Sequence, residues 1–152
     1  MKNHLRPGFS LIELLIVIAI IAILAGAVIL AVNPGRQFSQ ARNSSRRTHV
    51  TSILNAIGQN TADNSGTFTC AAGVIPAVST PIQSGAGGYN LCGCVVPNQL
   101  ASMPFDSAAA GAHYTSCADY TTGYNVIREA ASGRVTVSAP GAELGQTIQA
   151  VQ

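Results

Sequence analysis

Residues 9–32 constrain this chain more than any other stretch: they number 24 and hold one charged side chain, Glu13. A hydrocarbon layer of roughly 30 Å takes about 20 apolar residues in a helix, so the run is long enough to span a bilayer. Helix is the only single-segment conformation that satisfies backbone N–H and C=O groups there. Glu13 is the anomaly, because an ionisable group in such a span is costly and by default functional. A short basic segment precedes the run, Met1-Lys2-Asn3-His4-Leu5-Arg6-Pro7-Gly8. An ordinary secretory signal has a shorter apolar core with a small-residue cleavage site behind it. Here the glycine stands in front of the apolar run, so cutting after it would leave the helix on the remaining chain.

A basic leader ends in Gly8, Phe9 follows, a glutamate sits fifth counting from Phe9, and an unbroken apolar helix comes next. This arrangement resembles the prepilin leader of the type IV pilin superfamily, which includes pilins and the pseudopilins of type II secretion. The resemblance covers residues 1–57, and its motif is specific. It implies cleavage between Gly8 and Phe9 by a membrane-embedded aspartic protease, the prepilin peptidase, and methylation of the new Phe9 amine. Once the cut is made, a cationic amine is the nearest compensating charge for Glu13. That amine would belong to an adjacent subunit during assembly, or to the same helix, since the two residues are four apart.

Composition bounds the remainder. Beyond the leader and the span, the 152-residue chain has room for one small domain. The formal charge of +2 includes Lys2 and Arg6; the rest carries six Arg against six Asp or Glu. Arg36, Arg42, Arg46 and Arg47 cluster just after the span, whereas residues 58–152 hold two Arg and five acids. A head with that balance is not built for strong nucleic-acid binding. Trp is absent and aromatic residues are 5% of the chain, so a thin core in need of staples is expected. The four cysteines, all in the head, suit an oxidising, extracytoplasmic location. Counted literally, the Arg cluster would favour a cytoplasmic head. The cysteines and the resemblance favour the opposite side, and we follow them.

Along the chain, Lys2 and Arg6 are the cytoplasmic anchor. Asn33-Pro34-Gly35 closes the span; Pro34 lacks an N–H and would clash with the Leu30 carbonyl, so the helix kinks there or ends and restarts. Residues 36–57 read as a second helical length. Val50, Ile53, Leu54 and Ile57 share one face, with Arg42 and Arg46 continuing that line to a rim, free for acidic groups of a neighbour or anionic lipid. Gly58 is the expected helix stop. Residues 66–70 suggest a short strand, 71–90 an irregular loop, 89–96 a strand and 98–103 a helical turn. Residues 123–129 and 134–138 alternate like a hairpin, with a further strand at 147–151.

Little points to chemistry. His113, Ser116 and Asp119 are close in sequence without a nucleophile motif around them. Cys70, Cys92, Cys94 and Cys117 lack the paired spacing of a zinc site. Cys92 and Cys94 are too close to bond each other without strain, so each is expected to bond one of Cys70 and Cys117, in either combination. Met103-Pro104-Phe105-Asp106 loosely resembles the proline–aspartate loop of major secretion pseudopilins. Asp106 and Asp119 are too few to argue a calcium site, which stays an option only; otherwise no cofactor is expected.

The resulting expectation is an α+β protein: residues 1–8 a leader, 9–57 a long N-terminal helix (span 9–32, amphipathic 36–57) packed on a small antiparallel sheet, and 58–152 a small head. Its function would be structural, not enzymatic. It would be a subunit of a type IV pilus-like filament, held in the cytoplasmic membrane with its head outside until assembly. Its partners would be copies of itself and other pilins, the prepilin peptidase, the assembly platform and, beforehand, the bilayer. The alternatives are a type II secretion pseudopilin, a DNA-uptake pilin using the Arg cluster and a membrane-tethered enzyme.

Overall fold

The computed structural model describes residues 8–31 and 33–152; the leader anchors Lys2 and Arg6 lie outside them. The chain divides into two compact units, Met1–Phe38 and Ser39–Gln152. The first is helical. Helix α1 runs Leu11–Ala31 and, beyond Glu13 in its first turn, is apolar on every side. Helix α2, Pro34–Asp63, begins in this unit and continues into the second.

The second unit is α+β. Val50, Ile53, Leu54 and Ile57 of α2 are at most 5% exposed and join one core cluster with the sheet. That four-residue stripe is the face the sequence periodicity implies. The sheet comprises β1 (Thr80–Gln83), β2 (His113–Ser116), β3 (Asp119–Arg128), β4 (Val135–Ser138) and β5 (Gln149–Val151). Its order is β1-β3-β4-β5, with β2 also on β3, and every pairing is antiparallel. Tyr120, Thr122, Tyr124 and Val126 alternate inward along β3, as the period of two requires, and meet Val135 and Val137 of β4. Buried Tyr120 and Tyr124 keep their hydroxyls bonded, to Asn90 and His49. The hairpin read at 123–129 and 134–138 is β3–β4, with Arg128 opposite Val135.

Several expectations are corrected. Gly58 does not stop α2, which continues to Asp63. A Cβ at Gly58 would stand 2.8 Å from the terminal amide of the exposed Gln152 side chain, which is free to swing aside, so the position neither ends the helix nor demands glycine. The actual stop uses left-handed Ser65 and Gly66 (φ 57° and 87°), with the Gly66 N–H donating to the Thr61 carbonyl at 2.8 Å. Residues 66–70 form no strand. Buried Asn60 takes the place of a partner strand, accepting from the Thr69 N–H at 2.9 Å and donating to the Thr69 carbonyl at 3.2 Å. The stretch read as a loop, 71–90, contains β1; Pro81 is tolerated there because β1 is an edge strand. Residues 89–96 hold a short helix, α3 (Cys92–Val95), in place of a strand, and 98–103 is turn and bend without helix. Strand β2 lies in a segment for which the sequence suggested no element.

Candidate functional site

The functional features of the first unit sit at its helix ends. Gly8 and Phe9 precede α1, exposed, and nothing lies within 4 Å of a Cβ placed on Gly8. Ser10 caps the helix. Its Oγ accepts from the Glu13 N–H at 3.3 Å, while Glu13 Oε2 accepts from the Ser10 N–H at 2.9 Å and from the Ser10 hydroxyl at 2.8 Å. This is a reciprocal capping box, and it satisfies donors that the first turn would otherwise leave open. In the uncut chain the Glu13 carboxylate is thus turned back toward the start of the helix. Ser10 is a residue the sequence reading missed; the Ser-x-x-Glu spacing before an apolar run was the available signal.

Behind the cap, every described side chain over Leu11–Ile29 is exposed, on a helix long and apolar enough to cross a membrane. A soluble unit would cover such a face against a core. At the other end Asn33 caps α2: its Oδ1 accepts from the Arg36 N–H at 3.1 Å, and Pro34 takes the first helical position, where a missing N–H is harmless. So α1 ends at Ala31 and α2 starts at Pro34, with Gly35 in its first turn.

The Arg cluster is not the free basic rim expected from the sequence. Arg46 is buried, 3% exposed, and its Nε donates to Asp106 Oδ2 at 2.7 Å. Its NH1 donates to Glu143 at 3.1 Å and to Asn43 at 3.0 Å. Arg42 grips Glu143 with two bonds of 2.7 Å. Arg42 first, then Ser39 and Arg46, hold the Glu143 carboxyl well below the usual carboxylate range. Arg47 donates to Gln146 at 2.7 Å. Buried Asn43 donates to the Glu143 carbonyl and accepts from its N–H, at 2.8 and 2.9 Å. The reason is compositional: the acids that are in excess in the head fold back onto α2. Sequence showed both charge groups but not their register.

Cys70 bonds Cys94, and Cys92 bonds Cys117. On α3, residues two apart point to nearly opposite sides, whereas on a strand they would share a face. Partners on two sides of one turn therefore favour helix. His113 Nε2 and Asp119 Oδ1 are 3.1 Å apart across the β2–β3 hairpin, and Ser116 Oγ accepts from the Ala118 N–H, turned to its own turn and not to the histidine. Asp106 Oδ1 accepts from the Ala108 N–H at 3.0 Å, so both its oxygens are engaged, and no group of three or more metal-ligating side chains occurs among the described residues.

The helix-end site thus lies on an uncovered apolar N-terminal helix, in a chain whose second unit is a small disulfide-stapled α+β head. Residues 4–29 match the family described as the prokaryotic N-terminal methylation motif, so the chain carries a type IV prepilin-like leader. That motif points to pilin-like and pseudopilin proteins, which are structural subunits and not an enzyme family, and the apolar helix that carries it is long enough to cross a membrane. No curated protein and no solved structure matches the chain.

Proposed function

We propose that the chain is the prepilin of a type IV pilus-like filament. A prepilin peptidase cuts between Gly8 and Phe9 and the Phe9 amine is methylated. α1 holds the subunit in the cytoplasmic membrane, head outward, and then exchanges lipid for the α1 helices of neighbouring subunits. The observation that carries this reading is the methylation motif at residues 4–29, whose stretch from Leu11 onward is a helix with no buried face. The uncut geometry supports the later steps. Gly8 and Phe9 are accessible, and Glu13 already faces the start of the helix, where the cut would create a cation. After the cut, Glu13 pairs with the Phe9 amine of an adjacent subunit. The assembly platform would act on the membrane-held form, and other pilins would share the filament.

Among the finer alternatives we favour a pilin over a secretion pseudopilin. The aspartate of the partial proline–aspartate loop is engaged by Arg46 and by a backbone N–H, which also leaves it poorly placed for calcium; we assign the subunit no cofactor. The DNA-uptake reading is weakened, because two of its four arginines, Arg42 and Arg46, are neutralised by Glu143 and Asp106. Intact-mass and N-terminal analysis of the protein from its host tests the reading. The expected product begins at Phe9 and carries one extra methyl group. A product retaining Met1, or cut after the apolar run, would sink it.

A further inference from the structure

The strongest unexplained feature of the head is Leu144. Glu143-Leu144-Gly145-Gln146 is a tight turn, closed by the Gln146 N–H donating to the Glu143 carbonyl at 3.2 Å. Both central residues have positive φ, 59° at Leu144 and 65° at Gly145. Turns of that hand favour Asn, Asp or Gly at the first central position, because a branched side chain crowds the backbone. Leucine is a poor choice for the backbone, and it gains little from the interior, being 47% exposed. The turn is nevertheless held firmly. Arg42 and Arg46 bind the Glu143 carboxylate, and Asn43 binds both polar groups of its backbone. A strained, rigidly mounted, solvent-facing leucine has no return within its own chain.

The complementary surface lies further along the same helix. An open pocket of about 370 Å³ has Ile57, Phe68, Val74, Ile75 and Val135 as its apolar lining, and the rest of its wall is Arg128 with threonine, glycine and Gln152. The Leu144 turn is bound to Arg42 and Asn43, so turn and pocket are separated by roughly 20 Å along α2, at 1.5 Å per residue. The other large aliphatic side chains exposed on Ser39–Gln152 are Val74, Val78 and Val151. All three lie toward the pocket. Val74 lines it, the segment leading to Val78 is tied to the Arg128 N–H through the Pro76 carbonyl, and Val151 adjoins Gln152, whose backbone pairs with Val135. Leu144 is alone at the other end.

We propose that Leu144 of one copy seats in this pocket on the next copy. The two patches differ and lie apart on one molecule. A contact between them is therefore head-to-tail, and such a contact, when it does not close into a ring, propagates as a filament. The wall of Ile57, Phe68 and Val135 takes the leucine, and the Arg128 stem covers it from the rim. This inference rests on the filament reading and adds the head–head contact that reading leaves open.

The test uses full-length chains assembled into filaments. All four native cysteines are in disulfides, so an added cysteine is a free thiol. Filaments containing both Leu144→Cys copies and Val74→Cys copies are expected to give a covalent dimer on mild oxidation, while filaments of either variant alone give none. Absence of the mixed dimer from intact filaments overturns the contact, and so does a dimer from Leu144→Cys copies alone, which would mean a self-complementary interface. As a second measurement, Leu144→Asp is expected to lower filament yield about tenfold or more, the effect of some 1.4 kcal/mol on association, and Leu144→Met to preserve it. Normal yield from Leu144→Asp also overturns it. Wild-type chains that never form filaments would sink both readings, whereas normal filaments lacking the mixed dimer sink only the Leu144 contact.

Discussion

Removing the Arg46 guanidinium tests how the head holds α2. Arg46 and Asp106 are 3% and 5% exposed and meet at 2.7 Å, so neither charge has water to fall back on. Arg46→Met keeps most of the side-chain volume but strands the Asp106 carboxylate, whose remaining bond is the Ala108 N–H. Breaking a buried pair from one side costs about 3–5 kcal/mol, a large share of the 5–15 kcal/mol typical of a whole domain. Asp106→Leu should cost a similar amount by stranding Arg46, which keeps only its bonds to Glu143 and Asn43. The double variant, Arg46→Met with Asp106→Leu, should recover most of the loss, since an apolar pair of similar volume is often neutral or better. The assay is urea unfolding of the full chain in detergent, followed by tyrosine near-ultraviolet circular dichroism. The expected cycle gives single costs that together exceed the double cost by several kcal/mol, with unchanged denaturant slopes. If Arg46→Met cost less than about 1 kcal/mol, or if the costs simply added, the pair would not be the buried anchor described.

Other outcomes follow from named contacts. Glu143 has its folded pKa lowered by Arg42, Ser39 and Arg46, so its stabilisation is full above the ordinary carboxylate range and is lost as pH falls below about 4.5; acid titration of Glu143→Gln should show a shallower loss over that window than wild type. His113, raised by the Gly111 carbonyl and then Asp119, and His49, lowered by burial, should titrate on opposite sides of the ordinary histidine value in an NMR titration; coincident midpoints would contradict the two environments. Gly123→Ala should destabilise by about 1–3 kcal/mol in thermal unfolding, because its φ is 77° and a Cβ would lie 3.0 Å from that of Ala109. Removing the 70–94 disulfide as a paired alanine variant should cost about 3 kcal/mol, by the loop entropy of a 24-residue separation, and non-reducing peptide mapping should find Cys70 with Cys94 and Cys92 with Cys117.

What was legible in the sequence followed periodicity and spacing. The run at 9–32, the stripe Val50, Ile53, Leu54 and Ile57, and the alternation of the β3–β4 hairpin are patterns that one buried or lipid-facing surface imposes on a chain. The misreadings arose where surroundings override local preference. Gly58 looked like a stop, but α2 carries it in its interior on to Asp63, and the stop chemistry lies at Ser65 and Gly66. Residues 66–70 had strand composition, but the Asn60 side chain takes both backbone groups of Thr69, and Gly66 and Thr67 bond back to the end of α2. Thr80-Pro81-Ile82-Gln83 sat among prolines and glycines, and only its edge position makes it a strand. Of the candidate sites, Ser10 was readable and overlooked. The partners of Arg42 and Arg46 were not readable, because acids at 106 and 143 carry no mark of the helix they will meet.

The two disulfides converge on the single turn of α3, and the chain intervals they enclose overlap. Hydrolysis of any one peptide bond between Cys70 and Cys94 leaves its two sides joined by the first cross-link; between Cys92 and Cys117 the second does the same. The whole interval from residue 70 to residue 117, which holds most of the head's irregular backbone, can therefore be nicked once without the molecule coming apart. For a head held outside the cytoplasmic membrane, as proposed above, that would be tolerance to proteolytic damage. A clipped protomer would keep its place and its neighbours, and the injury would show only when the thiols were reduced.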